Sequence, residues 1–174
     1  MMEQFLAEAK EASRVFTTLT GKEKKRILEA MAEGLRANKT ILIDANRIDM
    51  THGEQNNLGS ALMDRLSLDA KRVESMAVAI EEIAALKDPV GRVLDGWVTE
   101  DNLRIEKVSI PIGVIGIIYE SRPNVTSDTA ALCFKSSNVC ILKGGKEAEH
   151  SNRAIAKILQ DVLEANGLPR ALIS

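Results

Sequence analysis

The residues best placed to do chemistry in this 174-residue chain crowd into Glu120-Ser121-Arg122-Pro123-Asn124, directly after an apolar run. A side-chain amide such as that of Asn124 can donate a hydrogen bond to a carbonyl oxygen gaining negative charge, which suits acyl chemistry. The same residue can equally cap a following helix, since Asn is among the strongest N-cap residues. Spacing leaves both roles open. Arg122 offers a two-pronged guanidinium for a phosphate or carboxylate, and a surface ion pair with Glu120 is its plainer fate. A second group, Lys143-Gly144-Gly145-Lys146, offers a glycine turn flanked by cations. At the end of a strand such a turn can hold a nucleotide ribose or its 2′-phosphate; elsewhere it is a solvated turn.

Both groups need elements that bring them to one edge. Ile112 to Tyr119 is an almost unbroken β-branched run and predicts a strand buried on both faces. A helix is expected to open near Thr126 or Ser127, with Asp128 in its first turn, and to end at Ser136-Ser137-Asn138. Val139 to Lys143 reads as a second buried strand. A further helix near Ser151 to Ala165 should bury Ile155, Ile158, Leu159 and Val162, with Asn166-Gly167 and Pro169 as its stop. Ala171 to Ile173 reads as the first half of another strand. Strand, loop, helix, strand and glycine loop is how a parallel sheet builds a nucleotide pocket. Gly113 and Gly116 lie inside the first strand and do not form GxGxxG, so they are expected to permit close packing.

The stretch from Met2 to Lys87 carries helical periodicity. Phe5, Ala9, Ala12, Phe16 and Leu19 form one stripe. Thr20 and Glu23 make a capping-box pattern before Ile27, Leu28, Met31 and Leu35. Ile41, Leu42, Ala45 and Ile48 suggest a third helix, ending before Asn56-Asn57 and Gly59. After a short piece, Ser67 or Asp69 caps a long helix carrying Val73, Met76, Ile80 and Ile83, which Asp88-Pro89 stops. From Val93 to Ile110 the period moves towards two, with a polar turn at Glu100-Asp101-Asn102, so a hairpin is expected. A two-stranded ribbon is marginal alone and should pack on another subunit or on protein outside this chain. The expected class is α/β: a helical part over residues 1–88, a ribbon over 89–111 that would support a homo-oligomer, and an incomplete Rossmann-like sheet over 112–174. Two strands and part of a third are few for such a sheet, so the chain reads as the front of something longer.

Composition narrows the partners. With 23 basic and 25 acidic residues the formal net charge is −2, and aromatics make up 3%, so neither a basic nucleic-acid footprint nor a stacking platform is present. The longest uncharged run, Val108 to Tyr119, is shorter than the roughly 20 residues of a membrane span, and the start lacks a secretory pattern. A cytoplasmic setting is expected, with no nucleic-acid or membrane partner. Cys133 and Cys140, with His52 and His150 far apart in sequence, make neither a disulfide framework nor a metal site. Both cysteines have apolar neighbours and read as buried structural thiols. Lys24-Lys25-Arg26 reads as a solvated helix face.

Taken together, PIGVIGIIYESRPNVTSDTAALCFKSSNVCILKGGKEAEHSN resembles the gamma-glutamyl phosphate reductase family of the aldehyde dehydrogenase superfamily. YESRPNVT and LKGG-EA-HSN carry the resemblance most specifically, and it extends across the chain to LDGW and the late GLP. It implies NADPH-dependent reduction of L-glutamyl 5-phosphate to L-glutamate 5-semialdehyde in proline biosynthesis. It implies that Asn124 helps to hold the oxyanion and that Lys143 contacts the adenosine ribose side of NADP(H); Gly144, Gly145 and Lys146 are added to that cofactor site by their position behind Lys143. Ser121 and Arg122 depart from the wider dehydrogenase pattern and are assigned to the phosphate or glutamyl group. The nucleophilic cysteine of that family lies beyond Ser174, and neither Cys133 nor Cys140 stands in a matching motif, so this polypeptide alone is expected to be inert. The competing expectations are a non-catalytic nucleotide-binding or oligomerisation module, and an acyl reductase acting on a coenzyme A thioester, which the SRPN loop disfavours.

Overall fold

Amphipathic spacing and well-marked helix starts account for the first half of the chain. The computed structural model describes residues 2–174, and of Met2 only the backbone. Helices α1 (Met2–Ala12), α2 (Gly21–Ala37), α3 (Lys39–Gln55), α4 (Ser60–Leu66) and α5 (Ala70–Ala85) follow one another, with a 3-10 turn at Ser13–Thr17. Thr20 and Glu23 form the expected reciprocal capping box on α2, and Asp69 accepts from the Arg72 amide to cap α5. The ribbon β1 (Val93–Val98) and β2 (Arg104–Val108) comes next. Then β3 (Val114–Ile118), α6 (Pro123–Lys135), β4 (Val139–Lys143) and α7 (Glu149–Ala165) make the parallel unit. β3 and β4 pair in parallel, Val114 opposite Val139 through Ile118 opposite Lys143.

One apolar core joins the two halves. Phe16, Ile27, Leu28, Met31, Leu35, Leu42 and Ile80 from the helical half meet Phe134, Val139, Cys140, Ile155, Leu159 and Leu163. Phe16 and Phe134 pack edge to face, with ring centroids 5.4 Å apart. The β1–β2 ribbon is antiparallel, with the turn where the sequence places it, and every residue of both strands is exposed.

Several local expectations need correction. The strand expected over Ile112 to Tyr119 is shorter and is not buried on both faces: Ile112 is 83% and Ile118 87% exposed. β3 pairs only with β4, and the helices rest chiefly on β4, which is buried at Val139 and Cys140 and exposed at Lys143. Gly113 and Gly116 permit no close packing, because an added Cβ at either would meet nothing within 4 Å. α6 starts at Pro123, three residues earlier than expected, since proline is preorganised for the first helical position and holds Arg122 extended before it. Asp128 therefore sits beyond the first turn. α7 starts at Glu149, and Leu163 takes the buried place expected of Val162. Residues 170–172 form a 3-10 turn, and only Ile173 bridges to Cys140 in parallel.

Polar residues inside the helical half settle two further points. Lys24 is not part of a solvated face: it is 2% exposed, lies 2.6 Å from Asp88 and donates to Ser137 Oγ and the Lys135 carbonyl. Lys135 in turn donates to the Ala84 carbonyl at the end of α5. α3 turns Leu42, Asn46, Asp49 and Gly53 inward and leaves Ile41 and Ile48 exposed. The reason lies across the core. Asp49 accepts from the His150 and Ser151 amides and from Ser151 Oγ, capping α7 from another helix. Asn46 holds Ser151 Oγ, the Leu66 carbonyl and the Leu68 amide.

Candidate functional site

Two cavities open around the carboxyl ends of β3 and β4. The first, about 350 Å³, lies between α4, α5 and the start of α6 and is lined by Asp64, Arg65, Arg72, Arg122, Asn124 and Asp128, with Met76 and Pro123 among its apolar walls. The second, about 330 Å³, follows β4 and is lined by Tyr119, Thr126, Lys143, Gly144, Gly145, Lys146, Asn152 and Arg153. The sequence expects Asn124 and Lys143 at one edge of the sheet; the structure places them in separate, neighbouring cavities that share the β3–α6 segment.

In the first cavity, Asn124 is exposed and does not cap α6. The cap position belongs to Arg122, which makes no side-chain cap bond. Instead Asn124 Nδ2 donates to Asp128 Oδ2 at 2.9 Å, one helical turn on. That bond uses one amide proton, orients the side chain and leaves the second proton available. Arg122 is exposed and, among the described residues, makes no ion pair, with Glu120 or otherwise. Ser121 is buried beside it and lines neither cavity. Arg72 is committed within its own wall: it pairs with Asp64 at 2.8 Å and donates to the Ser67 carbonyl at 2.7 Å. Asp128 is the residue that sequence reasoning misplaced. Burial raises its carboxyl above the ordinary aspartate range against the opposing bond from Asn124, and its Oδ1 is buried without a hydrogen-bond partner. An acid one turn after Asn124 was the only available signal.

The second cavity has a glycine floor for a steric reason. A Cβ at Gly144 would collide with the Asn152 amide and stand 3.1 Å from the Tyr119 ring, and one at Gly145 would stand 2.5 Å from a Glu147 carboxylate oxygen. Tyr119 and Thr126 hydroxyls share a 2.7 Å bond, and Thr126 donates to Asn152 Oδ1 at 2.9 Å. This chain ties β3, α6 and α7 together behind the loop. Burial is the main cause that raises the Tyr119 hydroxyl's pKa, so it stays protonated at neutral pH. Lys143 and Lys146 are exposed and, among the described residues, unpaired, while Arg153 lies 2.7 Å from Glu149. A backbone-lined turn with two free ammonium groups and a nearby guanidinium suits an anionic, phosphate-bearing ligand. Those groups fit the phosphorylated adenosine half of a nicotinamide cofactor.

Neither cysteine can serve as a nucleophile here. Cys133 and Cys140 are both buried; the neighbouring thiol and burial push Cys140 far above its ordinary range, Cys133 moves the other way, and Cys140 Sγ faces the Leu172 carbonyl, so what silences both is their enclosure in the core. The two histidines, distant in sequence, meet with ring centroids 5.5 Å apart, and His150 Nδ1 lies 2.8 Å from Asp49. Their setting is structural, because that aspartate caps α7. No helix among the described residues is long and apolar enough to cross a membrane.

Comparison with known proteins agrees with this geometry. The sequence model of the Aldehyde dehydrogenase family matches residues 1–174. Gamma-glutamyl phosphate reductase of Sulfurimonas denitrificans is 73% identical over 173 residues, and that of Sulfurovum sp. 69%; each match covers 99% of this chain and 42% of the relative. The chain thus spans less than half the length of these curated relatives. The crystal structure of gamma-glutamyl phosphate reductase from Thermotoga maritima superposes with a TM-score of 0.93 at 41% identity, covering 97% of this chain and 41% of that one. The corresponding enzyme of Saccharomyces cerevisiae gives 0.91 at 33% identity.

Proposed function

The chain belongs to the aldehyde dehydrogenase family, and from that premise we propose that it is the cofactor-binding part of a gamma-glutamyl phosphate reductase. The reaction is NADPH-dependent reduction of L-glutamyl 5-phosphate to L-glutamate 5-semialdehyde and phosphate, a step of L-proline biosynthesis. The observation that carries this reading is the pair of neighbouring cavities at one end of a parallel strand pair, one with an oriented amide and the other with a cationic glycine turn. When bound, the cofactor supplies hydride. Lys143 and Lys146, with the backbone of Gly144 and Gly145, hold its ribose and phosphate side. Asn124, oriented by Asp128, donates its remaining amide proton to the acyl oxygen as charge develops there. Ser121 and Arg122 serve the phosphate or glutamyl group, Arg122 reaching the cavity and Ser121 supporting the loop from beneath.

The domain division follows the same reading: residues 1–88 and 112–174 form the cofactor-binding unit, and residues 89–111 the ribbon through which copies associate. Trp97, Val98 and Leu103 on that exposed ribbon are 50%, 63% and 62% exposed, which supports a homo-oligomeric role. The attacking thiol is supplied by polypeptide outside these 174 residues, because Cys133 and Cys140 are sealed in the core. The setting is cytoplasmic.

The test is phosphate-dependent formation of NADPH from L-glutamate 5-semialdehyde. The intact gene product is expected to catalyse it and the 174-residue chain alone is not. Activity of the isolated chain would overturn the assignment of the thiol. An intact gene product that reduced an acyl-coenzyme A but not the acyl phosphate would overturn the substrate.

A further inference from the structure

We propose that Asp128 is the specificity residue of the first cavity, receiving the α-ammonium group of an amino-acid substrate, while Arg122 and Arg65 receive its acidic groups. The inference rests on the functional reading above and adds a residue and a contact to it.

The cavity's charged groups divide into committed and uncommitted. Arg72 is taken up by Asp64 and Ser67. Arg65 and Arg122 make no ion pair among the described residues, and both line the cavity. Of the carboxylates, Asp64 is neutralised by Arg72, whereas Asp128 is met only by neutral groups, the amide of Asn124 and the nearby hydroxyl of Ser127. A carboxylate has about four acceptor sites, and Asp128 Oδ1 has no partner at all. A half-buried carboxylate so poorly served is costly as an anion unless a cation joins it. Asp128 lines the cavity, so a donor entering it meets this carboxylate. A primary ammonium, with three N–H donors and a full charge, meets that need, and water or a neutral hydroxyl meets it less well.

The uncommitted set, one carboxylate and two guanidiniums, mirrors a molecule with one ammonium and two acidic groups. L-glutamyl 5-phosphate has that composition. An acyl phosphate without an α-amino group would leave Asp128 buried beside an apolar methylene, so the same contact that accepts the amino acid rejects its desamino analogue. Asp128 also holds Asn124, so it can act in two separable ways: on ligand preference directly, and on turnover through Asn124.

The experiment is competitive inhibition of the intact gene product by L-glutamate and by glutarate, which differ only in the α-amino group. The wild type is expected to bind L-glutamate about tenfold to a hundredfold more tightly than glutarate, the range for hydrogen bonds to charged groups. Asp128→Asn is expected to bring that ratio to within about twofold of unity. A wild-type ratio near one overturns the proposal without any variant. So does a ratio that Asp128→Asn leaves in place while lowering kcat, which is the signature of a positioning role through Asn124. Should the gene product lack semialdehyde dehydrogenase activity, the functional reading falls. Calorimetric titration with the same two compounds then reads the ratio for Asp128 directly.

Discussion

The two cavities are built from the same β3–α6–β4–α7 unit and solve different recognition problems. The first is walled by side chains from three helices, with its charges paired off except for Asp128, Arg65 and Arg122. The second is floored by Gly144 and Gly145 and flanked by exposed lysines. A half-buried carboxylate such as Asp128 discriminates by the cost of leaving it unpaired, whereas a backbone cradle with exposed cations grips phosphate and reads little else. The first cavity is therefore the place of selectivity and the second the place of cofactor affinity. The difference predicts that substitutions in one should not mimic those in the other.

The largest expected effect separates the cavities by kinetics. Asn124→Ala in the intact gene product should lower kcat roughly 10²- to 10³-fold, the usual cost of an oxyanion donor, with NADPH affinity unmoved. Fluorescence titration beside steady-state kinetics checks both halves. Asp88→Asn tests the frame at the far end of α6: it leaves Lys24 buried without its carboxylate and should cost about 3 kcal/mol in denaturant unfolding. The sign with pH is fixed. Burial opposes ionisation of Asp88, but the bonds from Lys24 and the Val90 amide outweigh it and hold its pKa below the ordinary aspartate value. Its contribution is present above the unfolded-state value near 3.8 and is lost as pH falls through the lower folded one. Wild-type stability should thus fall more steeply than that of Asp88→Asn in this acid window.

Smaller effects sharpen the contrast. Gly144→Val crowds Asn152 and Tyr119 and should cost about 1–3 kcal/mol of folding stability by overpacking and weaken NADPH binding, while the L-glutamate to glutarate ratio stays at its wild-type value. If that ratio moved with it, the cavities would be one site. Lys143→Ala removes an exposed cation and should cost no more than about 1 kcal/mol of NADPH affinity, and less at high salt.

What the sequence made legible was local. The capping box at Thr20 and Glu23, the ribbon turn and the strand of Val139–Lys143 depend on near neighbours, and each lies where it was expected. Pro123 marked the start of α6, but the hydroxyls of Thr126 and Ser127 followed by Asp128 read as a helix start and drew the boundary too late. Burial that depends on distant partners was not legible. Lys24 in a KKR run sits in the core because Asp88 and Ser137 receive it, and Asp49 faces inward because α7 needs a cap. The loops at 120–124 and 143–146 were both recognisable as site-forming. Their division into two cavities was not, because it depends on how α4 and α5 close over the start of α6.

The central claim is that this polypeptide docks NADPH on the Lys143–Lys146 turn. Amide chemical-shift mapping of the 174-residue chain during NADPH titration tests it most directly. Saturable shifts centred on residues 143–146, Tyr119 and Asn152, weakened by Lys143→Ala, are the predicted result. No binding, or shifts centred on the first cavity around Arg72 and Asp128, would contradict it.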